Sequence, residues 1–227
     1  MDIKELFDNR EEYLGKEVTL NGWVRNHRKQ KSMGFIDFYD GTIFNLLQVV
    51  YDASNADVQA AASKLKIGSC ARVTGKAVLN QNNGSVEIEL SSAETLGECA
   101  EDYPLQPKKH SLEFLREHAY LRPRTRLFQA VFKIRSVASM AIHEYFQNNG
   151  YVYVHTPLFT ANDAEGAGNT ITVTTFDPVD GKKKDYADDF FGKHASLAVT
   201  GQLEGETFAM AFGKIYTFGP TFRAENS

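Results

Sequence analysis

Four polar side chains in the second half of the chain have the chemistry to bind a small, charged molecule. Arg223 and Glu225 stand two residues apart in the final stretch, so on a strand they would share one face. A guanidinium grips phosphate oxygens through paired hydrogen bonds, and a carboxylate accepts from amines and amides. Glu165 lies in a loop of small residues, and Gln202 directly follows Gly201. An Arg-x-Glu pair alone is more often a solvated ion pair. The surrounding elements must therefore show whether these residues form a binding site.

The composition bounds what the chain can be. Its 227 residues, 42% of them apolar, are enough for one large domain or two smaller ones. A formal net charge of -4 gives no overall basic signature, so any contact with nucleic acid needs a local patch. Cys70 and Cys99 have no metal-site spacing and favour a reducing compartment. Without a signal segment or a membrane-length apolar run, we predict a cytoplasmic protein with no membrane contact.

The first hundred residues predict a small barrel. Five short alternating segments are separated by turn signals, and a helix stands between the third and the fourth, which is the element order of an OB barrel. We therefore predict an α+β protein whose first domain, residues 1–102, is an all-β OB barrel. The predicted strands are residues 17–28, 35–41, 45–51, 71–78 and 86–90, and the predicted helix is residues 57–65.

One face of this barrel has side chains suited to single-stranded nucleic acid. Such barrels stack bases on aromatic rings and follow phosphates with basic side chains. Phe35 stands beside a basic loop that contains Arg28, and Gln48 on the next strand can read a base edge through its amide. Each of these features also has a simpler interpretation. Phe35 also fits a core position, Gln48 also fits an exposed position on a strand, and the basic loop can simply be solvated. A barrel of this kind can equally hold a protein or a sugar.

A linker and a second domain follow. Residues 103–125 contain Pro104 and Pro107 and form the predicted linker, in which Arg122 and Arg124 either contact a phosphate or are simply solvated. The second domain, residues 126–227, opens with a helix that carries a regular apolar face. That face fits an ordinary packing unit and also a symmetric interface.

The motifs in this order resemble the asparaginyl members of the aspartyl/asparaginyl/lysyl subgroup of class II aminoacyl-tRNA synthetases. The resemblance covers essentially the whole chain and implies an OB anticodon-binding domain followed by the first part of an antiparallel-sheet catalytic domain. Its motifs are the long helix and the strand ending at Pro157 (motif 1), the Glu165-Gly166-Ala167 loop, the segment Thr200-Gly201-Gln202-Leu203-Glu204-Gly205-Glu206, and Phe222-Arg223-Ala224-Glu225, which opens motif 2 with its first strand.

The resemblance also implies a substrate. In the aspartyl enzymes a lysine that pairs with the substrate carboxylate occupies the position that is Gly205 here. A buried lysine would favour a charged aspartate side chain, whereas its absence beside carboxylates favours the amide of asparagine, which donates hydrogen bonds. The implied activity is therefore ATP-dependent ligation of asparagine to tRNA(Asn), with a homodimer formed through motif 1.

Each candidate residue takes an implied role. Arg223 is the predicted catalytic residue and holds the α-phosphate of ATP, while Glu225 contacts either the nucleotide or the amino acid. Glu165 holds the α-ammonium group of asparagine, and Gln202 bonds its backbone groups. On the barrel, Phe35 stacks on the central anticodon base while Arg28 and Gln48 contact its neighbours. No metal ligand is predicted here, since the Mg²⁺ ligands of the family belong to later motifs.

The chain ends at Ser227 inside what resembles motif 2. We therefore expect a truncated chain that forms no aminoacyl-adenylate by itself. Two alternatives stay open from the sequence: a non-catalytic module that binds tRNA anticodons, and an aspartyl-type or asparagine-synthesising paralogue. The barrel argues against a paralogue that handles free asparagine, because such an enzyme has no use for a base-stacking surface.

Overall fold

A computed structural model describes residues 1–162, 170–177, 179 and 185–224 of the chain. Two compact units are present, Met1–Ile134 and Arg135–Ser227, and the division falls inside one long helix. The first unit includes residues 103–125, which the sequence predicts to be a linker. The domain boundaries given by the sequence stay predictions.

The first unit is built on a closed five-stranded barrel. The strands neighbour one another in the order β1-β2-β3-β5-β4, and the closing contact of β3 with β5 is parallel while the others are antiparallel. This is the predicted OB arrangement, and it confirms the α+β fold class with an N-terminal all-β barrel. The strands are β1 (Glu17–Lys29), β2 (Met33–Tyr39), β3 (Leu47–Asp52), β4 (Cys70–Leu79) and β5 (Val86–Gly97).

Alternation along the strands builds the barrel core. In β2 every second residue is buried, and Ile36 and Phe38 have no exposed surface. Side chains on a strand point alternately to its two faces, so the residues between them must lie on the outside. Val49 of β3 and Ile88 of β5 are also fully buried and complete the apolar interior.

Helices cover the ends of the barrel. Two short helices, α1 (Ile3–Asp8) and α2 (Arg10–Tyr13), precede the barrel, and the predicted central helix is α3 (Ala56–Ser63). Asp2 accepts from the backbone N–H of Glu5 and caps α1, and Asn55 caps α3 in the same way. Ile3 and Leu6 are fully buried, so α1 closes over the apolar interior.

Residues 103–125 form a small apolar cluster within the first unit. Leu105, Leu115 and Leu121 are buried together. Ser111 caps α4 (Leu112–Glu117) by accepting from the backbone N–H of Phe114, as its position predicts. A short 3-10 turn follows at Arg122–Arg124. Residues 103–125 therefore have helical structure and a small apolar core of their own, whereas the prolines in the sequence predict only a linker.

The long helix α5 (Arg126–Asn148) has the predicted extent, and Gly150 after it has a φ of 76°, the left-handed conformation that glycine tolerates best. None of its residues is buried in the described structure. Its predicted apolar face is exposed; Ile134 and Tyr145 have 68% and 65% of their surface accessible. The helix instead contacts its own unit through His143 and Phe146, which lie against Tyr216.

The strands of the second unit are much shorter than the sequence predicts. β6 (Val152–Tyr153) pairs with β10 (Ile215–Tyr216) in parallel, and a three-stranded antiparallel sheet has the order β7-β9-β8. The members of this sheet are β7 (Phe159–Thr160), β8 (Thr172–Val173) and β9 (Ala195–Leu197), and helix α6 (Gln202–Phe212) lies between β9 and β10.

The predicted strand around Arg223 is not present among the described residues, where 217–224 have no strand pairing. One backbone hydrogen bond, from Phe222 N to the carbonyl of Ala198, holds this stretch. Pro220 has no N–H to donate, and a ladder needs repeated donors on a partner strand. The described part of this stretch is an extended segment without strand pairing, and the predicted strand, which continues into residues outside the described part, stays a prediction.

Asp189 is a buried carboxylate that ties two segments of the second unit together. It accepts hydrogen bonds from the hydroxyls of Thr174 and Thr175 and from the backbone N–H groups of Thr175 and Phe190. The bond from the Thr174 hydroxyl, followed by that from Thr175, lowers the pKa of this carboxyl far below its ordinary value. Its charged form is therefore the one that the fold favours.

Of the helices in the described ranges, none combines the length and apolar character that a membrane span requires.

We predict that Gly34→Ala destabilises the barrel by about 1–3 kcal/mol, the usual cost of overpacking. A Cβ at Gly34 would overlap the ring of Tyr51 on the paired strand. That ring cannot move freely, because its hydroxyl is 2.8 Å from His27 Nε2. Urea unfolding measures the change. Gly97→Ala is the control, since its nearest neighbour would be Cys70 Cβ at 3.5 Å; equal losses in both variants would contradict the steric explanation.

We predict that Asp189→Asn lowers the thermal stability of the chain near pH 7 and that the difference from the parent shrinks in acid. A carboxyl whose folded-state pKa is depressed stabilises the fold above its unfolded value of about 3.9, and this contribution is lost as the pH falls towards the folded value. Unfolding midpoints at about pH 7, 4 and 2.5 test this, because the expected loss lies below the unfolded value. Asp188→Asn, at an exposed neighbour, serves as the control; a pH-independent difference for Asp189→Asn would refute the linkage.

Candidate functional site

The outer face of β2 carries the predicted base-binding residue. Phe35 is half-buried on this face, and Asp37 and Tyr39 follow it at the two-residue spacing of a strand. Ile36 and Phe38 point into the core between them. The side that faces away from the core is therefore a row of one apolar ring, one carboxylate and one phenol.

A bulge in β1 decides which side chains of that strand join this row. Val24 pairs with Phe38 and Asn26 pairs with Asp37, so Arg25 is an extra residue without a partner. Before the bulge the even-numbered residues Leu20 and Val24 are buried. The extra residue reverses the alternation, so that Asn26 and Arg28 lie on the outer face.

Arg28 and Phe35 are thereby brought together. They are directly paired across the two strands, and Arg28 Cζ lies 6.0 Å from the centre of the Phe35 ring. Asp37 orients the neighbours of the ring, accepting from Arg28 Nη2 at 3.4 Å and from Asn26 Nδ2 at 3.1 Å. The sequence predicts that the first strand ends at Arg28, where the basic loop begins, and the structure extends β1 by one residue to Lys29.

Gln48 stands on the next strand of the same face. It is paired with Asp37 of β2 on one side and with Glu87 of β5 on the other. Glu87 is buried and accepts from Asn80 Nδ2 at 2.6 Å. The three predicted residues Arg28, Phe35 and Gln48 thus share one surface, although the role of each stays a prediction.

Sequence reasoning missed the polar residues that hold this surface in place. Asp37 stands two residues after Phe35, a spacing that signals the same face of a strand. Asn26 and Glu87 have no comparable signal, because one follows a bulge and the other pairs through a parallel contact distant in sequence. Chemically, the surface offers an aromatic ring for stacking, a cation, and amides that both donate and accept.

In the second unit Gln202 is the first residue of α6 and is exposed. Its Nε2 donates to Glu206 Oε1 at 3.1 Å, and its backbone N–H donates to Thr200 Oγ1 at 3.2 Å. Gly201 before it is packed so closely that a Cβ there would lie 2.5 Å from Thr156 Oγ1. This close approach of the Gly201 backbone to the Thr156 side chain positions the start of α6 beside the residues that lead to Pro157.

Arg223 lies on the extended segment after β10 and is exposed. No contact joins it to Gln202 within the described part of the chain. Glu165 and Glu225 lie outside the described residues. The roles of all four predicted residues therefore stay predictions.

Aromatic packing supports the start of the segment that leads to Arg223. His143 Nδ1 and the Tyr216 hydroxyl are 2.7 Å apart, and the His143 ring also contacts Tyr153 and Phe218. The Tyr153 hydroxyl donates to the carbonyl of Phe218 at 3.1 Å. Residues 216–218 are thereby anchored on α5 and β6.

Gly205, the position predicted to distinguish asparagine from aspartate, is buried in α6. A Cβ there would lie 3.5 Å from Ile215 Cδ1, an ordinary contact. A lysine at this position would thus begin against an apolar side chain of β10.

Within residues 1–162, 170–177, 179 and 185–224, no three histidine, cysteine, aspartate or glutamate side chains form a group that could hold a metal ion.

Comparisons with known proteins match both halves of the chain. Residues 18–96 match the OB-fold nucleic acid binding domain, and residues 111–227 match the tRNA synthetases class II (D, K and N).

Relatives match over the whole chain. The asparagine–tRNA ligase of Acholeplasma laidlawii is 49% identical over 233 residues, a match that covers 100% of this chain and 50% of the relative. The asparagine–tRNA ligase of Mesoplasma florum is 50% identical over 228 residues, covering 100% and 49%. The chain thus spans about half the length of the curated relatives it matches.

Solved structures agree in fold. The asparaginyl-tRNA synthetase from Pyrococcus horikoshii, complexed with asparaginyl-adenylate, has a TM-score of 0.80 and 25% identity, and the match covers 100% of this chain and 49% of that one. The Entamoeba histolytica asparaginyl-tRNA synthetase has a TM-score of 0.74 at 19% identity, covering 94% and 47%, which supports the fold alone. Since the second family match extends over more than half of the residues, the chain belongs to the class II tRNA synthetases (D, K and N).

Proposed function

We propose that the protein to which this chain belongs is an asparagine–tRNA ligase, which activates asparagine with ATP and transfers it to tRNA(Asn). One observation carries the proposal: relatives bearing that name match the chain from end to end, at 49% identity for the Acholeplasma laidlawii ligase. The same relatives favour asparagine over the aspartyl-type alternative, and the absence of a lysine at Gly205 is consistent with a neutral amide in the pocket.

In this proposal the barrel reads the anticodon. Anticodon bases are single-stranded and can be splayed outward, which suits stacking on an aromatic ring. Phe35 supplies the ring, and Arg28 stands beside it within 6.0 Å. Gln48 contacts a neighbouring base through its amide.

The second unit would act on asparagine and ATP. A carboxylate oxygen of asparagine bonds to the α-phosphorus, and the bond to pyrophosphate breaks. Arg223 stabilises charge on the α-phosphate, and its exposed guanidinium is accessible to a phosphate group. Gln202 and Glu165 hold the backbone groups of asparagine, and Glu225 contacts either substrate. Mg²⁺ would offset the phosphate charge when bound.

The proposal includes a homodimer and a cytoplasmic location. The exposed apolar residues of α5 need a cover, and Val137 and Met140 have 70% and 65% of their surface accessible. A second copy of the same helix is a self-complementary partner. Cys70 and Cys99 are free, which suits a reducing compartment.

We predict that Phe35→Leu weakens binding of a tRNA with a GUU anticodon by about 5- to 150-fold, because a stacked base contributes about 1–3 kcal/mol. Leucine keeps an apolar side chain but has no π-face. Fluorescence anisotropy with labelled transcripts measures the affinity. Phe35→Tyr keeps the ring and should bind close to the parent. The anticodon assignment fails if Phe35→Leu binds normally, or if the parent does not distinguish GUU from an altered anticodon.

We predict that Val137→Asp raises the dimer dissociation constant by about 100-fold or more, because an unpaired carboxylate buried between two copies costs several kcal/mol. Sedimentation velocity over a range of concentrations gives the oligomeric state. Met210→Asp, on α6 with 90% of its surface accessible, is the matched control. A monomeric parent chain, or a Val137→Asp variant as dimeric as the control, would exclude this interface.

A further inference from the structure

Three arginines of the first unit lie close together, and none has an acidic partner among the described residues. Each guanidinium lies over an aromatic ring: Arg25 Cζ is 4.6 Å from the centre of the Tyr39 ring, Arg126 Cζ is 5.0 Å from that of Phe44, and Arg124 Cζ is 5.9 Å from that of Tyr103. We call Arg25, Arg124 and Arg126 the arginine cluster. Stacking on a ring holds the plane of a guanidinium in place and leaves its edge free to donate.

The positive charges of the arginine cluster interact electrostatically. Burial lowers the pKa of Arg25, Tyr39 and Tyr103 oppose that change, and the positive charges of Arg124 and Arg126 lower it further. All three side chains nevertheless stay cationic at neutral pH. Like charges brought this close repel one another unless an anion is shared between them.

No acidic group of the described chain offsets this charge. Asp37, Glu98 and Asp102 line the clefts beside the cluster. Among the described residues none of them forms an ion pair with Arg25, Arg124 or Arg126, and Asp37 is already bonded to Arg28 and Asn26. Arg124 Nη1 donates to the Tyr103 hydroxyl at 3.4 Å.

Arg25 carries a donor that nothing in the described structure satisfies. Its Nη2 is buried and has no hydrogen-bond partner. A buried, unpaired donor on a cation is costly, so such a group calls for a partner such as a water, an ion or a ligand. Arg25 is also the bulged residue of β1, and bulges occur where a strand redirects a side chain for binding.

The cluster continues the base-binding face. Tyr39, beneath Arg25, lies on the same side of β2 as Asp37 and Phe35, roughly 13 Å from Phe35 along the strand. A cleft of about 590 Å³ beside it is lined by Arg25, Arg126, Asn26 and Asp37, together with Lys108 and Lys109. A few nucleotides of single-stranded RNA span such a distance, so a strand stacked on Phe35 would bring its backbone to the cluster.

We propose that the arginine cluster binds phosphodiester groups of the RNA strand whose bases are read at Phe35, and that it positions this strand without reading its sequence. The proposal rests on the proposed function, because it takes the same RNA as ligand. Arginine forks match the geometry of phosphate oxygens, and contacts of this kind set register and affinity rather than base preference. Arg124, which the sequence leaves open between phosphate contact and solvation, belongs to this site.

The test measures binding of tRNA transcripts with a GUU or an altered anticodon by anisotropy, from about 50 to about 300 mM salt. Arg126→Gln should weaken both transcripts to the same degree, about fivefold near 150 mM, and reduce the slope of log affinity against log salt by about 1. Combining it with Arg124→Gln should reduce the slope by about 2. Both residues are exposed, so the variants should fold, which thermal unfolding checks.

The matched control is Arg72→Gln, which removes the same charge from the barrel surface. Arg72 is already paired with Glu94 at 2.7 Å, so its variant should leave the affinity and the salt slope near those of the parent. The proposal is overturned if the cluster variants lose no more than this control, or if they weaken only the GUU transcript, which would indicate base reading. If the cluster variants bind normally while Phe35→Leu weakens binding, the phosphate-binding role of the cluster is rejected and the proposed function is kept. If no RNA binds at all, both fail.

Discussion

A single extra residue in β1 determines the character of the outer barrel face. The closed barrel requires strict alternation of buried and outward-facing side chains. Among the inward-facing residues, Ile36, Phe38 and Val49 have no exposed surface. With regular alternation, Arg28 would continue the buried series of Leu20 and Val24. The bulge at Arg25 avoids the cost of a buried guanidinium and puts that charge beside Phe35.

The second unit depends on a different constraint, the packing of aromatic rings around Tyr216. Its described strands have two or three residues, so ladder hydrogen bonds alone hold little structure. His143, Phe146 and Tyr153 surround the Tyr216 ring and fix the start of the segment that leads to Arg223. The apolar side of α5 takes no part in this packing, and its residues are exposed in the described structure.

Much of the fold was predictable from local patterns. The barrel strands, the caps at Asp2, Asn55 and Ser111, and the extent of α5 follow from period, turn and cap signals that act within a few residues. The second unit was less predictable, because a strand forms only where a partner strand supplies hydrogen-bond donors. The residues of β6 do not by themselves indicate how short it is, and those after Tyr216 do not indicate that they lack strand pairing.

The candidate site divides in the same way. Phe35 and Gln48 follow from residue type and alternation, and the structure brings them to one surface. The bulge, the paired Asp37 and Asn26, and the arginine cluster depend on cross-strand register and on contacts between distant segments, which no single stretch of sequence specifies. The roles proposed for Gln202 and Arg223 rest on family resemblance rather than on assembled geometry.

The difference in strand length between the two units has a consequence for how they fluctuate. Barrel strands of 6 to 13 residues share their ladders around a closed ring, so opening one amide means disturbing its neighbours on both sides. A two-residue strand such as β10 can detach with little else lost. Amide protons of the barrel core should therefore persist longest in heavy water, while those around Tyr216 depend on how firmly its ring stays among its aromatic neighbours.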